Sequence, residues 1–257
     1  GDRAAVARRS AVPRPMRRLR LLVTRPDPDA RELALVLEAR GHEAIVAPMI
    51  EITFDAAVAI PTSGLAAVIA TSRNGLLAIA GRRELAALAG LPLFAVGAAT
   101  AEAARRLGYT TVVEGEDGGA ALLASIQAMI PAARGALLHL SGETIAIDLV
   151  ASLASAGYAA KRVVVYRNRP ITALSGAAID GLRAGVVDAV LLFSPATAGA
   201  FLAALRHHGL AEAGAKIVHL CLSATVARAL ATEPSSSIRI AARPNLAAML
   251  AVVDAMA

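Results

Sequence analysis

Along this chain, short apolar runs alternate with stretches in which apolar side chains recur at three- and four-residue spacing. The runs are RLLVT (20–24), AIVAP (44–48), AAVIAT (66–71), LFAV (93–96), TVVE (111–114), ALLHLS (136–141), RVVVY (162–166), AVLLF (189–193), KIVHLC (216–221) and IRIA (238–241). They are too short for helices and mostly rich in Val, Ile, Leu and Ala, so they predict strands buried on both faces. Between them, DARELALVLEARG (29–41) and TIAIDLVASLASAG (144–157) predict amphipathic helices that stop at Gly41 and Gly157. Strands joined by helical crossovers predict an α/β chain built on parallel sheets.

The pattern is written twice. RLLVTRPDPDARELALVLEARGHEAIVAP corresponds to ALLHLSGETIAIDLVASLASAGYAAKRVVVY, AAVIATSRNGLLAIA to DAVLLFSPATAGAFL, and LFAVGAATAEAARRLG to IVHLCLSATVARALA. Ser72 and Thr100 are 28 residues apart, Ser194 and Thr225 31. Two five-stranded, doubly wound units of similar topology follow. On the repeat alone, the simplest division falls near residue 132. In open parallel sheets the ligand side is where strands end and helices begin, because free N–H groups and positive helix dipole ends collect there. The turns TSRNG, VGAAT, FSPAT and CLSAT would, facing each other, line a two-walled site with hydroxyls and amides suited to several carboxylates or phosphates.

Charge changes this picture little. The net charge is +6, and residues 1–20, with seven Arg against one Asp, carry all of it. The excess belongs to a Pro- and Arg-rich tail with no apolar period, so residues 1–16 are expected to be disordered or a remnant added for expression, with Met16 a candidate start. A nucleic-acid function is not indicated. The 56% hydrophobic content supplies ample core, and Trp is absent. The single Cys221 excludes an intramolecular disulfide and reads as a buried structural thiol. No segment reads as a signal or a membrane span, so a soluble cytoplasmic protein is expected.

Familiar catalytic signatures are missing. There is no P-loop, no G-x-G-x-x-G after a strand, and no G-x-S-x-G; GEDGG (115–119) reads as a solvated turn. His42, His139, His207, His208 and His219 lack metal-ligand spacing, so no metal and no cofactor are expected. Such a site would work by binding and orienting a reactive substrate. Tyr166, at the end of KRVVVYRNRP, is a candidate acid, because a phenol with a reference pKa of about 10 keeps its proton at neutral pH. It can equally be a strand-end Tyr that buttresses the connection between the halves. Ser72, Ser194, Thr100 and Thr225 can each be a helix cap or first-turn hydroxyl rather than a ligand contact.

Taken in order, LLVTRP, RGHEAIVAPMIEI, VIATSRNG, FAVGAATAEAARRLG, LLHLSGE, AGYAAKRVVVYR, LLFSPATAGAF and CLSATVARAL resemble the uroporphyrinogen-III synthase family over residues 19–257. The resemblance implies two interleaved α/β domains, residues 17–50 with 169–257 and residues 51–168, joined by a two-stranded hinge near Ile50–Phe54 and Val165–Arg169. It implies a cyclising hydro-lyase of porphyrin and haem biosynthesis that needs no cofactor. The substrate would be hydroxymethylbilane, a linear tetrapyrrole with acetate and propionate groups, closed with inversion of the last ring and loss of water. By the same resemblance, Tyr166 assists departure of the hydroxyl, and Ser72, Thr100, Ser141, Ser194 and Thr225 contact carboxylates or pyrroles. Arg25, in TRP, pairs with a substrate carboxylate or belongs to a surface ion pair. A monomer is expected, with transient hand-over of substrate from the preceding deaminase. The chain departs from the family pattern at Leu222 and Ser223, where Gly and Pro are common, at Ala224, and at Phe193, where a hydroxyl could stand. The competing readings are a non-catalytic ligand sensor of the same fold, which would tolerate loss of Tyr166, and a two-domain glycosyltransferase, for which no sugar-nucleotide site is visible.

Overall fold

The computed structural model describes residues 17–115, 119–145, 148–230 and 237–257. The expected tail at 1–16, the middle of GEDGG and part of the helix expected at 144–157 lie outside them. In chain order the elements are β1 (Arg20–Val23), α1 (Asp29–Ala39), β2 (Glu43–Val46), β3 (Ile50–Phe54), β4 (Leu65–Ala70), α2 (Arg73–Leu77), α3 (Leu85–Leu88), β5 (Leu93–Val96), α4 (Ala98–Arg106), β6 (Val112–Gly115), α5 (Gly119–Met129) and β7 (Ala136–Gly142). They continue with α6 (Leu149–Ser155), β8 (Ala160–Pro170), α7 (Gly176–Arg183), β9 (Ala189–Leu192), α8 (Pro195–His207), α9 (Ala211–Lys216), β10 (Val218–Cys221), α10 (Ala224–Arg228), β11 (Ile238–Ile240) and α11 (Leu246–Asp254).

The chain forms two compact units. Unit 1 comprises the chain up to Ile50 together with Pro170–Ala257, and unit 2 is Glu51–Arg169. The simple division near residue 132 is therefore not the physical one. The chain changes unit inside β3, after Ile50, and again near the end of β8, after Arg169.

Unit 1 is built on the sheet β11-β10-β9-β1-β2, with every neighbouring pair parallel. Its apolar runs are buried on both sides. Leu22, Val190, Leu192 and Cys221 face one cluster, while Leu21, Val23, Leu191 and Leu220 face the other. Strands covered on both faces cannot alternate apolar with polar, which is why they read as continuous apolar runs. Residues Gly41 and Gly157 adopt the left-handed conformation, with φ of 86° and 84°, just past α1 and α6, as the sequence predicts for helix stops.

Unit 2 is built on the sheet β3-β8-β7-β4-β5-β6. From β8 to β6 its pairs are parallel, and its two faces are covered by separate clusters, one holding Val68, Ala70, Leu138 and Leu140, the other Ala67, Ile69, Phe94 and Leu137. If β7 and β8 are matched to β1 and β2, and β4, β5 and β6 to β9, β10 and β11, the strand order of the two sheets is the same. The repeat in the sequence is thus a repeat in space, permuted in chain order. β3 is the added edge strand, and its burial alternates poorly because it is mostly exposed. No helix among the described residues is long and apolar enough to cross a membrane.

Candidate functional site

Parallel pairing places the carboxyl ends of all five strands of each sheet core on one edge, so the turns that follow them share that edge within each unit. In unit 2 these turns carry Ser72 after β4, Thr100 after β5, Ser141 near the end of β7 and Tyr166 within β8. Unit 1 has Arg25 after β1, Ser194 after β9 and Thr225 after β10.

Two of the serines are helix caps. Ser72 Oγ accepts from the Asn74 N–H at 3.2 Å and Ser194 Oγ from the Thr197 N–H at 3.1 Å, each with extended backbone at the cap. Each oxygen satisfies an amide that the first turn leaves without an intrahelical partner. Ser194 also shares a 2.8 Å hydrogen bond with the Thr197 hydroxyl. In α10 the cap is Ser223, accepting from Val226 N–H at 3.4 Å. The residue that stands where the family pattern has Pro thus closes this helix end. Thr225 is exposed and accepts from Arg228 Nη2 at 2.9 Å.

α4 begins differently. Its cap is Gly97, which has φ 80°, and no side chain bonds the first turn. Among the described residues the amides of Ala98 and Ala99 have no acceptor, both residues are exposed, and Thr100, 5% exposed, makes no side-chain hydrogen bond. A helix start with open amides, a positive dipole end and an uncommitted hydroxyl is suited to a carboxylate.

Ser141 is 1% exposed; its hydroxyl donates to Gly142 C=O at 3.0 Å and accepts from Arg162 Nε at 2.8 Å, so both its roles are taken up within the unit. It shares the inner side of the sheet with His139, whose Nε2 is 3.3 Å from Thr71 Oγ1. Burial, and then the Arg162 charge, push His139 down to about 4, and burial does the same to His219. Both rings are neutral at pH 7.

Arg25 has two engagements, an ion pair with Asp29 one helical turn on and the face of Phe193, 4.8 Å from its guanidinium carbon. Phe193, which stands where a hydroxyl could stand in the family pattern, therefore carries a cation over its ring. Burial lowers the Arg25 pKa, with Glu32 opposing, but the residue remains a cation near neutrality.

Tyrosine roles separate by environment. Tyr158 donates to Ile130 C=O at 2.7 Å, and Tyr109 is sealed in the core with its hydroxyl unsatisfied. Tyr166 is 7% exposed; its hydroxyl makes no hydrogen bond among the described residues and is not one of the sealed, unsatisfied atoms. Its ring packs in the cluster that also holds Leu76, Ala101 and Ala104, so Tyr166 lies on the face of the sheet that α2 and α4 cover. Ser72, Thr100 and Tyr166 are thereby gathered on one side of unit 2, and Ser141 on the other. Sequence reasoning missed the roles of Arg162 and Gly142, whose partners lie on a neighbouring strand, and passed over Ser223 as a cap although Ser at a strand-to-helix turn is a local capping signal.

Cys221 is fully buried, and burial raises its thiol to about 11, which leaves it protonated and unreactive as a nucleophile. No group of three or more metal-ligating side chains occurs among the described residues. Two hollows of unit 1, of about 330 and 410 Å³, include Val187 and Ile217 in one and Arg17, Arg20 and Asp188 in the other. Both lie at the amino-terminal ends of the strands, on the edge opposite the turns that carry Arg25, Ser194 and Thr225.

Among solved structures, the chain is similar to uroporphyrinogen-III synthetase from Helicobacter pylori 26695, with 17% identity, a TM-score of 0.62, and coverage of 94% of this chain and 100% of that one. It is also similar to a mutant uroporphyrinogen III synthase from the extremely thermophilic bacterium Thermus thermophilus, with 19% identity, a TM-score of 0.51, and coverage of 92% and 98%. At these identities the likeness establishes the fold. No curated protein matches the sequence. The family described as Uroporphyrinogen-III synthase HemD matches residues 31–251, which span most of both units. The chain belongs to the uroporphyrinogen-III synthase HemD family.

Proposed function

We propose that this protein is a uroporphyrinogen-III synthase, a cyclising lyase that closes hydroxymethylbilane with inversion of the last pyrrole ring and loss of water. The observation that carries the reading, beside family membership, is the pairing of an open helix start at Ala98–Thr100 with the Tyr166 phenol on one face of unit 2. The first binds a carboxylate without needing a basic side chain, and the second supplies a proton.

The substrate is reactive by itself, so the protein's task is to choose between closures. The α4 amides and the Thr100 hydroxyl hold one acetate or propionate group. In unit 1, taken by itself, the cation of Arg25, spread over the Phe193 ring, and the exposed Thr225 hydroxyl are candidate carboxylate contacts; the capped starts at Ser72 in unit 2 and Ser194 in unit 1 lend their helix dipoles. Holding the carboxylates at fixed points bends the chain so that its last ring meets the electrophilic end through its substituted carbon.

Tyr166 donates its proton to the terminal hydroxyl as the C–O bond breaks, the pyrrole lone pair supplies the electrons, and water leaves. Attack by the last ring gives a spiro intermediate, which opens and recloses with that ring inverted. The proton lost when the ring regains aromaticity returns to the phenolate, so the balance is one water released.

The test is incubation of fresh hydroxymethylbilane with the protein, followed by separation of the oxidised porphyrin isomers. Dominance of the type III isomer is expected. Formation of the spontaneous type I isomer alone, by folded protein, would replace the synthase with a ligand-binding protein of the same fold. Tyr166→Phe is expected to lower kcat by roughly 100-fold while KM changes little.

A further inference from the structure

The pairing of β7 with β8 is regular from Leu137 opposite Ala160 to Ser141 opposite Val164, and then slips, so that Gly142 stands opposite Tyr166. Val165 is the extra residue of a bulge. Strict alternation would put Tyr166 on the side of Arg162 and Val164. Instead both Val165 and Tyr166 pack in the cluster of Leu138 and Leu140, so the bulge turns the phenol to the other face.

A re-aimed ring needs something to hold it. Gly142 supplies the space, since a Cβ there would lie 2.6 Å from Tyr166 Cζ and 2.9 Å from its oxygen. Arg162 supplies the hold. Its Nη2 donates to Gly142 C=O at 2.7 Å and Glu143 C=O at 2.6 Å, and its Nε to Ser141 Oγ at 2.8 Å. Glu143 N–H in turn donates to Tyr166 C=O at 3.0 Å, and the Glu143 carboxylate receives Arg167, which also binds Asp55. Among the described residues Arg162 forms no ion pair, so its planar fork is committed wholly to three uncharged oxygens of one turn. That arrangement fixes geometry rather than neutralising charge.

We infer that Arg162 is a positioning residue, which clamps the Ser141–Glu143 turn and through it sets the Tyr166 hydroxyl for proton transfer. This rests on the reading of Tyr166 as proton donor. Misplacing a reacting group by about 1 Å can cost up to 100-fold, and a loosened clamp is a smaller error, so roughly a tenfold loss of kcat is expected for Arg162→Gln, with KM within about twofold. Arg162→Lys, which keeps one point donor but not the fork, falls between the two.

The experiment measures kcat and KM for both variants, for Tyr166→Phe and for the double variant Arg162→Gln/Tyr166→Phe. It adds the near-ultraviolet circular dichroism of the tyrosine band and the urea midpoint as a check on folding. Because Arg162 acts through Tyr166, Arg162→Gln should change kcat by less than about twofold when Tyr166 is already Phe. It should also diminish the part of the tyrosine band that Tyr166→Phe removes. An equal loss of kcat in both backgrounds would make Arg162 a direct substrate contact and overturn the proposal. Unchanged kcat and an unchanged band in folded Arg162→Gln would overturn it outright. If Tyr166→Phe turns over normally, the proton-donor reading falls by itself, and the band still decides whether Arg162 holds the ring.

Discussion

The turns VGAAT (96–100) and CLSAT (221–225) occupy equivalent places, after β5 and β10, yet they end in opposite environments. Thr100 is buried and Thr225 exposed. The cause is a shift of one residue in where the helix begins. α4 is capped at Gly97, three positions before its Thr, and α10 at Ser223, two positions before. One position around a helix is a rotation of about 100°, enough to move a side chain from the core edge to solvent. The Gly start leaves amides open, while the Ser start fills one of them. A ligand site and a self-satisfied helix end therefore arise from nearly the same letters.

The largest expected effect tests a property both units share. His139 and His219 titrate at about 4 in the folded chain, against about 6.5 when unfolded. Between those values the unfolded chain holds more protons, so stability is intact above about pH 6.5 and falls as the pH drops toward 4. Urea midpoints measured from pH 7 to 4.5 should decline, and His139→Leu or His219→Leu should flatten the decline. A pH-independent midpoint would show that neither ring is buried as described.

The next effect separates the turns. Thr100→Val keeps shape and removes the hydroxyl, so KM should rise about fivefold, the worth of one hydrogen bond, with kcat little changed. Loss of the Ser223 cap in Ser223→Ala should lower stability by about 1 kcal/mol with activity retained, as thermal unfolding beside the isomer assay would show. Thr225→Ala should raise KM by only about twofold, because its exposed hydroxyl is solvated and already accepts from Arg228. If Thr225→Ala proved more damaging than Thr100→Val, the assignment of the open turn to α4 would be reversed.

Ten of the eleven strands among the described residues were legible because buried parallel strands advertise themselves as unbroken apolar runs. β3 was not, since its mostly exposed ITF segment has neither a run nor an alternation; only the family resemblance pointed to it. The serines and threonines of the strand-to-helix turns were legible as a set, but their individual states were not, because these depend on the exact residue at which each helix starts. The helix expected from Thr144 is described from Leu149, after its cap at Asp148, whose carboxylate accepts from Ala151 N–H. Arg162 was illegible in principle. Its partners belong to another strand, and the bulge that brings Tyr166 around depends on pairing, which no local pattern encodes.

The permuted order of the strands bears on how the chain is made. β1 must pair with β9, Leu21 beside Ala189, yet all of unit 2 is synthesised between them. Unit 2 is contiguous, and its first and last strands, β3 and β8, are neighbours in its sheet. Once it folds on the ribosome, the two ends that continue into unit 1 are drawn together. The long loop between β1 and β9 is then closed by a folded body instead of a searching coil, and the entropic cost of joining distant strands is met before the second sheet begins to assemble.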